Sequence, residues 1–149
     1  MNYTLTAPPE DLRYLYKASV IKVVDGDTID VLIDMGFNIS VEKRLRLLGV
    51  DTFELRDPDP AKRRLARMGK DFVVNAVACG GLKREVYVRT MKDKTGKYGR
   101  MLAAVFYPRN LSPTRSGGAD DWACLNVELV RRNLVEWAAG PIEEYFKEI

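Results

Sequence analysis

Residues 17–50 read KASVIKVVDGDTIDVLIDMGFNISVEKRLRLLGV, a stretch with the alternating pattern of consecutive β-strands. From Lys17 onward, apolar side chains alternate as they do in a strand, and Asp25-Gly26 is a strong hairpin signal. A second alternating run covers residues 28–35, and a third covers residues 39–50. Three successive strands with tight connections predict an antiparallel meander.

Beyond the meander, the hydrophobic period changes from that of a strand to that of a helix. Apolar residues recur at helical spacing from Leu65 to Cys79, and Gly80-Gly81 is typical of a helix end. Two further strands are predicted over residues 83–91 and 98–107, and two further helices over residues 126–135 and 142–149. This order predicts an α+β, mainly β fold: a five-stranded OB-like antiparallel barrel with three helices.

The length of the chain fits one domain. With 149 residues there is little room for two, and we expect residues 1–15 to form an N-terminal arm and residues 16–149 the folded domain. No basic and apolar leader and no long apolar run is visible, so we expect a cytoplasmic protein that does not enter membranes. Cys79 and Cys124 are expected to be free thiols, and the chain is expected to be a monomer.

The sequence contains no histidine at all. This excludes a Ser-His-Asp or Cys-His catalytic unit, a histidine general base and any His-ligated metal site. An enzyme with this composition has to work with carboxylates, arginines, lysines, tyrosines or a hard metal ion.

The net charge of +3 conceals an uneven distribution along the chain. Residues 1–60 hold 7 basic and 11 acidic residues, residues 61–109 hold 13 and 3, and residues 110–149 hold 4 and 7. A basic middle third favours a polyanionic partner if the fold gathers its side chains on one face, and otherwise is a solvated surface. The basic residues expected to guide such a partner are Lys62, Arg63, Arg64, Arg67, Lys70, Lys83, Arg84 and Arg89.

Three short motifs carry candidate chemistry. They are Asp25-Gly26-Asp27-Thr28, the segment from Arg44 to Glu54, and Lys97-Tyr98-Gly99-Arg100. Taken singly, each has an ordinary explanation as a turn, a cap or the start of a strand. Together they contain the parts for hydrolysing a phosphodiester without histidine, namely acidic metal ligands, a carboxylate base and arginines for the phosphate.

The predicted strands suggest how these parts meet. A first hairpin turn carrying Asp27 and a third strand ending near Asp51 can bring two carboxylates side by side, where a hard cation such as Ca²⁺ or Mg²⁺ would relieve their repulsion. Glu54 could then hold a water. Arg46 and Arg100 would supply forked donors to a phosphate.

In this order, the motifs resemble those of the staphylococcal nuclease (thermonuclease) family, over about residues 16–137. The resemblance implies an OB-like barrel and a Ca²⁺-dependent nuclease that acts on DNA and RNA and leaves 3′-phosphate ends. It also implies that Asp27, Asp51 and the backbone carbonyl of Thr52 bind calcium. Glu54 matches the general base, and Asp25 matches an acidic residue near the metal but not on it.

The same resemblance assigns the phosphate-binding residues. Arg46 and Arg100 match the two arginines on the scissile phosphate, with Arg100 also placed to help the leaving group. Lys97 and Tyr98 match residues that contact a terminal phosphate of a bound nucleotide.

Three features depart from the family pattern. Phe53 stands where the family usually has proline, which leaves the Glu54 loop less constrained. Residues 138–141 replace a pair of tyrosines that line the nucleotide site in the founding member, so we expect weaker base stacking there. The loop over residues 108–119 is longer than in the founding member, and no role is assigned to it.

Two other functions compete with catalysis. One is a catalytically weak or inactive nuclease-like domain that binds nucleic acid or a protein, and the other is a structural protein that uses the fold for assembly. Inactive domains generally lack one or more of the acidic or arginine positions. This chain retains them all, which favours the enzyme.

Overall fold

The computed structural model describes residues 14–77, 84–95, 101–108 and 122–137. The predicted meander is present as β1 (Leu15–Asp25), β2 (Thr28–Asp34) and β3 (Ser40–Leu47), each antiparallel to the next. One side chain in two points inward, as the alternation requires. The fully buried members include Val20, Ile29, Val31, Leu45 and Leu47.

Two later strands close the barrel. Strand β5 (Glu85–Thr95) pairs with β1, and β6 (Met101–Pro108) pairs with β5, both antiparallel. Strand β6 also lies parallel to β3, with Leu45 opposite Met101, so the sheet returns on itself. The α+β, mainly β class and the predicted five-stranded barrel are confirmed. Strand β5 extends to Thr95, beyond the predicted boundary at residue 91, with an irregular register after Thr90.

Helix α1 (Pro60–Val77) begins at a clear sequence signal. Asp59 precedes it, and its carboxylate accepts the backbone N–H of Ala61 at 2.9 Å, while Pro60 occupies the first helical position. Its buried face includes Ala66, Gly69, Val73, Ala76 and Val77. Val73, Ala76 and Val77 belong to the same hydrophobic core as the barrel strands.

The second helix is shorter than predicted. Helix α2 (Leu125–Arg131) ends before residue 135, because Asn133 adopts a positive φ of 55°. The N–H of Asn133 donates to the carbonyl of Val130 at 3.0 Å, and the N–H of Leu134 donates to that of Leu129 at 3.1 Å. This is a Schellman end, in which asparagine takes the place often held by glycine. The chain then continues as a strand.

Three short strands complete the described structure, and the sequence pattern does not predict them as separate strands. Strand β4 (Val50–Thr52) pairs with β8 (Val135–Trp137), and β7 (Trp122–Cys124) extends the barrel sheet beside β6. The predicted strand over residues 39–50 is therefore two strands, divided at Gly49, which has a φ of 77°.

Asn126 connects the start of α2 to the barrel. It is fully buried, and its amide nitrogen donates to the carbonyls of Leu48 at 2.9 Å and Ala103 at 3.2 Å. Its amide oxygen accepts the N–H of Val105 at 3.1 Å. These bonds satisfy a polar group that would otherwise be costly to bury, and they hold the segment between β3 and β4 in place.

Several predictions concern parts of the chain outside the described residues. They include the third helix at 142–149, the arm except for its last two residues, the loop at 109–119, Cys79 and the end of the first helix at Gly80-Gly81. Cys124 is a free buried thiol, and burial raises its pKa to about 12. In the described part of the chain, no helix is long and apolar enough to cross a membrane.

Candidate active site

The turn between β1 and β2 places Asp27 beside the ends of β3 and β4. The backbone N–H of Leu47 donates to the Asp27 carbonyl at 2.7 Å. The carboxylate accepts the Thr28 hydroxyl on Oδ1 at 2.9 Å and the backbone N–H of Thr52 on Oδ2 at 3.3 Å. Asp27 is only 9% exposed. These bonds replace the water that burial removes from the carboxylate.

Gly26 allows this turn to lie close to its neighbours. A Cβ at Gly26 would stand 2.7 Å from Cγ2 of Thr52 and 3.3 Å from the backbone carbonyl carbon of Gly69 in α1. Real Cβ atoms essentially never approach another heavy atom as closely as 2.7 Å. The absence of a side chain therefore lets the turn, β4 and α1 meet.

Arg46 lies between two carboxylates. Its neighbours in β3, Leu45 and Leu47, are fully buried, so the alternation of the strand directs Arg46 outward. Its Nη2 is 3.6 Å from Oδ2 of Asp27 and also contacts Oδ1 of Asp51 in a close ion pair. One guanidinium nitrogen thus joins carboxylates that come from a turn and from a separate strand.

Strand β4 positions Asp51 at this point. Val50 is fully buried and anchors the strand, and its carbonyl also accepts Nη2 of Arg46 at 3.4 Å. The Asp51 side chain is 48% exposed, so one side of the cluster faces solvent. The antiparallel pairing with β8 sets Glu136 opposite Asp51. Sequence reasoning does not find Glu136, because the pairing of β4 with β8 joins residues that are far apart in the chain.

The donor chemistry of this cluster fits a hard cation. Two carboxylates that lie close together repel each other unless a positive charge lies between them. In this structure a guanidinium nitrogen of Arg46 lies between the carboxylates of Asp27 and Asp51. Carboxylate and carbonyl oxygens are the ligands that Ca²⁺ prefers. Across the described ranges, no three Asp, Glu or Cys side chains form a group able to hold a metal. The predicted ligand set contains only two carboxylates and the Thr52 carbonyl.

Glu54 lies two residues beyond the end of β4. It is exposed, and its carbonyl accepts the N–H of Asp57 at 3.1 Å, which closes a turn over residues 54–57. Phe53 before it is half-buried. The turn leaves Glu54 open to solvent.

The remaining predicted site residues have different outcomes. Asp25 is half-buried and ends β1 as the register partner of Thr28. Lys97, Tyr98 and Arg100 lie outside the described residues, so their roles stay predictions.

The predicted basic surface is only partly available for a partner. Lys62, Arg64 and Arg67 are exposed on α1. Arg63 instead donates to the carbonyl of Asp57 at 2.9 Å, and Arg84 donates to the carbonyl of Ala76 in the last turn of α1. Arg84 therefore stabilises the C-terminal end of the helix, where a positive charge is favourable, whereas Arg63 connects the first turn of the helix to the loop before it.

Comparison with known protein families gives a match over most of the chain. The family model described as staphylococcal nuclease homologue matches residues 44–142, which is about two-thirds of the chain. The match begins two residues before Arg46 and includes β4 and both described helices. A search of curated proteins finds no significant match. On the strength of the family match and the closed barrel, this chain belongs to the staphylococcal nuclease homologue family.

Proposed function

We propose that this protein is a calcium-dependent nuclease that hydrolyses phosphodiester bonds of DNA, RNA or both and leaves 3′-phosphate ends. The observation that supports it best is the convergence of Asp27 and Asp51 on Arg46 at the solvent-facing end of the barrel. Family membership supports a nuclease-type domain.

The metal would be held by the carboxylates of Asp27 and Asp51 and by the carbonyl of Thr52. When bound there, Ca²⁺ supplies positive charge that polarises a phosphate oxygen without proton transfer. The hydrogen bonds from Thr28 and Thr52 orient the Asp27 carboxylate before any ligand arrives. Asp25 would stay near the metal without binding it.

Arg46 would bind the scissile phosphate. In the structure its Nη2 lies between Asp27 and Asp51, where the metal would bind, so metal binding would release this nitrogen from the two carboxylates. Nη1 and the released Nη2 could then both donate to phosphate oxygens. Arg100 would be the second arginine on the phosphate, and together they stabilise the charge that accumulates on phosphorus in the transition state.

Glu54 would orient or deprotonate the attacking water, which its exposed position allows. Attack in line with the leaving oxygen breaks the bond between phosphorus and the 5′ oxygen, and Arg100 assists that oxygen as it leaves. Lys97 and Tyr98 would contact a terminal phosphate of the bound strand.

Glu54→Gln tests this mechanism. Loss of a general base typically costs about 10²–10⁴-fold in rate, so we expect cleavage of a labelled single-stranded oligonucleotide to fall by that factor while binding persists. The matched control is Glu42→Gln, which removes the same charge from an exposed residue of β3. We expect that variant to cut at the wild-type rate.

Two results would contradict the mechanism. Cleavage at the wild-type rate by Glu54→Gln would exclude Glu54 as the base, and products with 5′-phosphate ends would exclude the proposed bond. A wild-type protein that binds oligonucleotides but cuts none would instead be a binding domain. Monomeric state and cytoplasmic location stay predictions.

A further inference from the structure

A row of alternating charges crosses three strands next to the candidate active site. Asp30 in β2 is the register partner of Lys22 in β1 on one side and of Arg44 in β3 on the other. The next row toward the site contains Thr28 opposite Arg46. Arg44 therefore lies two residues from Arg46 on the same face of β3, and Arg46 is the arginine that would bind the scissile phosphate.

Arg44 is held in a fixed orientation in this row. Its Nε donates to Oδ1 of Asp30 at 2.7 Å and its Nη2 donates to Oδ2 at 3.0 Å, which is a forked ion pair. The hydrogen bond from Arg44 lowers the pKa of Asp30, and the hydrogen bond to Asp30 raises the pKa of Arg44. The Arg44 side chain is nevertheless 53% exposed, and its Nη1 lies outside the forked pair.

The row keeps positive charge despite the ion pair. Asp30 has one negative charge and lies between two cations, Arg44 and Lys22, so the three side chains together carry one positive charge. Lys22 is exposed. The negative charge of Asp25 also raises the pKa of Arg44. Among the described side-chain contacts, Arg44 hydrogen-bonds only to Asp30.

We infer that Arg44, oriented by Asp30 and supported by Lys22, binds the phosphate next to the scissile one on a nucleic-acid strand. This inference rests on the proposed function, because it takes Arg46 as the residue on the scissile phosphate. Side chains two residues apart on one face of a strand are about 7 Å apart. One step of an extended nucleic-acid backbone can span that distance, so Arg44 and Arg46 contact successive phosphates.

The test is the salt dependence of binding to a labelled single-stranded oligonucleotide, measured by fluorescence anisotropy in EGTA so that nothing is cut. For Arg44→Gln we expect affinity at low salt to fall about tenfold, as for loss of one charge-assisted hydrogen bond. The slope of log affinity against log salt should become shallower by about 0.7, which is the loss of one phosphate contact to a single strand.

Two further variants separate this contact from general effects of charge and of structure. Lys43→Gln removes the same charge from the adjacent residue of β3, which the strand alternation directs to the other side, and it should bind as the wild type does. Asp30→Asn removes the negative charge that offsets Arg44 but retains an amide oxygen that can accept a hydrogen bond from Arg44 and keep it oriented. If Arg44 acts on the phosphate, that variant binds as well as or better than the wild type.

A kinetic ratio tests the same contact where the protein cuts. The kcat/KM for an oligonucleotide, divided by that for a diester with a single phosphate, should fall about tenfold in Arg44→Gln and remain constant in Lys43→Gln.

Equal losses in Arg44→Gln and Lys43→Gln, no loss in Arg44→Gln, or a matching loss in Asp30→Asn would each overturn the inference. A wild-type protein that fails to bind any oligonucleotide would also overturn it. A protein that binds the oligonucleotide but never cuts it would contradict the proposed function, and this result is distinct from the results that overturn the inference.

Discussion

The two turns at the ends of β2 reverse the usual relation between polarity and burial. The turn before β2 reads Asp25-Gly26-Asp27-Thr28, and its Asp27 is only 9% exposed. The turn after β2 covers residues 35–39 and contains Phe37, which is 96% exposed. Met35 and Ile39 on either side of Phe37 are exposed as well.

The difference lies in what each turn contacts. The first turn is bonded to β3 and β4 and packs against α1. Among the residues that the structure describes, the second turn is closed by local bonds only. The Met35 N–H donates to the Ile39 carbonyl at 2.9 Å, the Ile39 N–H donates to the Gly36 carbonyl at 2.9 Å, and the Gly36 N–H donates to the Asp34 carboxylate at 2.8 Å. Burying a carboxylate is unfavourable unless it is bonded, so the molecule keeps Asp27 buried only where three other elements support it.

The largest expected difference between the two turns is in calcium binding. Asp27→Asn should reduce Ca²⁺ affinity on the order of a hundredfold, because even groups behind metal ligands contribute about 10–100-fold. Asp34→Asn, at the end of β2 next to the other turn, should leave Ca²⁺ affinity unchanged. The measurement is the rise in Tm on adding Ca²⁺, which should disappear in the first variant and persist in the second.

If the Ca²⁺-dependent rise in Tm persists in Asp27→Asn, this turn is not part of the metal site. An equal loss in both variants would indicate a general effect of charge rather than ligation.

The next-largest difference is expected between alanine substitutions at Gly26 and at Gly36. Gly26→Ala places a methyl group against Thr52 and the backbone of α1, and overpacking of this kind costs about 1–3 kcal/mol in the free energy of unfolding. It should also lower nuclease activity, because Thr52 must shift. Gly36→Ala meets no atom within 4 Å but forces a side chain at a φ of 76°, which costs about 1–2 kcal/mol.

Urea unfolding and cleavage rates measured on both variants check this pair. Gly36→Ala should retain the wild-type rate. Equal activity in the two variants would mean that the close approach at Gly26 has no role in positioning Thr52.

The smallest effect is expected at Phe37. Phe37→Ser changes a side chain that is almost fully exposed, so the free energy of unfolding should change by less than about 0.5 kcal/mol. Urea unfolding measures this, and a loss of more than about 1 kcal/mol, typical of a packed residue, would show that Phe37 is buried against the protein.

The sequence predicted the barrel because its first three strands depend on local alternation and on hairpin signals such as Asp25-Gly26. It did not predict that β4 pairs with β8, since this contact joins residues far apart in the chain. The sequence does contain a local signal for the end of α2, because asparagine at position 133 tolerates the left-handed conformation that it adopts there. The apolar periodicity that continues to Val135 obscures this signal.

The geometry of the candidate site is likewise predictable from the sequence only in part. That Asp27 and Asp51 approach each other follows from strand order, which the sequence reveals. That both contact the same nitrogen of Arg46, and that Asp27 is buried while Asp51 is half-exposed, depends on how β4 and α1 pack around the turn. No local pattern encodes that packing.

Calcium-dependent nuclease activity is tested most directly by the rate at which the wild-type protein cuts single- and double-stranded DNA and RNA as free Ca²⁺ is varied. We expect cleavage of at least one substrate to rise with Ca²⁺ to saturation and to fall to background in EGTA. Full cleavage in EGTA, or no cleavage of any substrate at any Ca²⁺ concentration, would contradict this proposal.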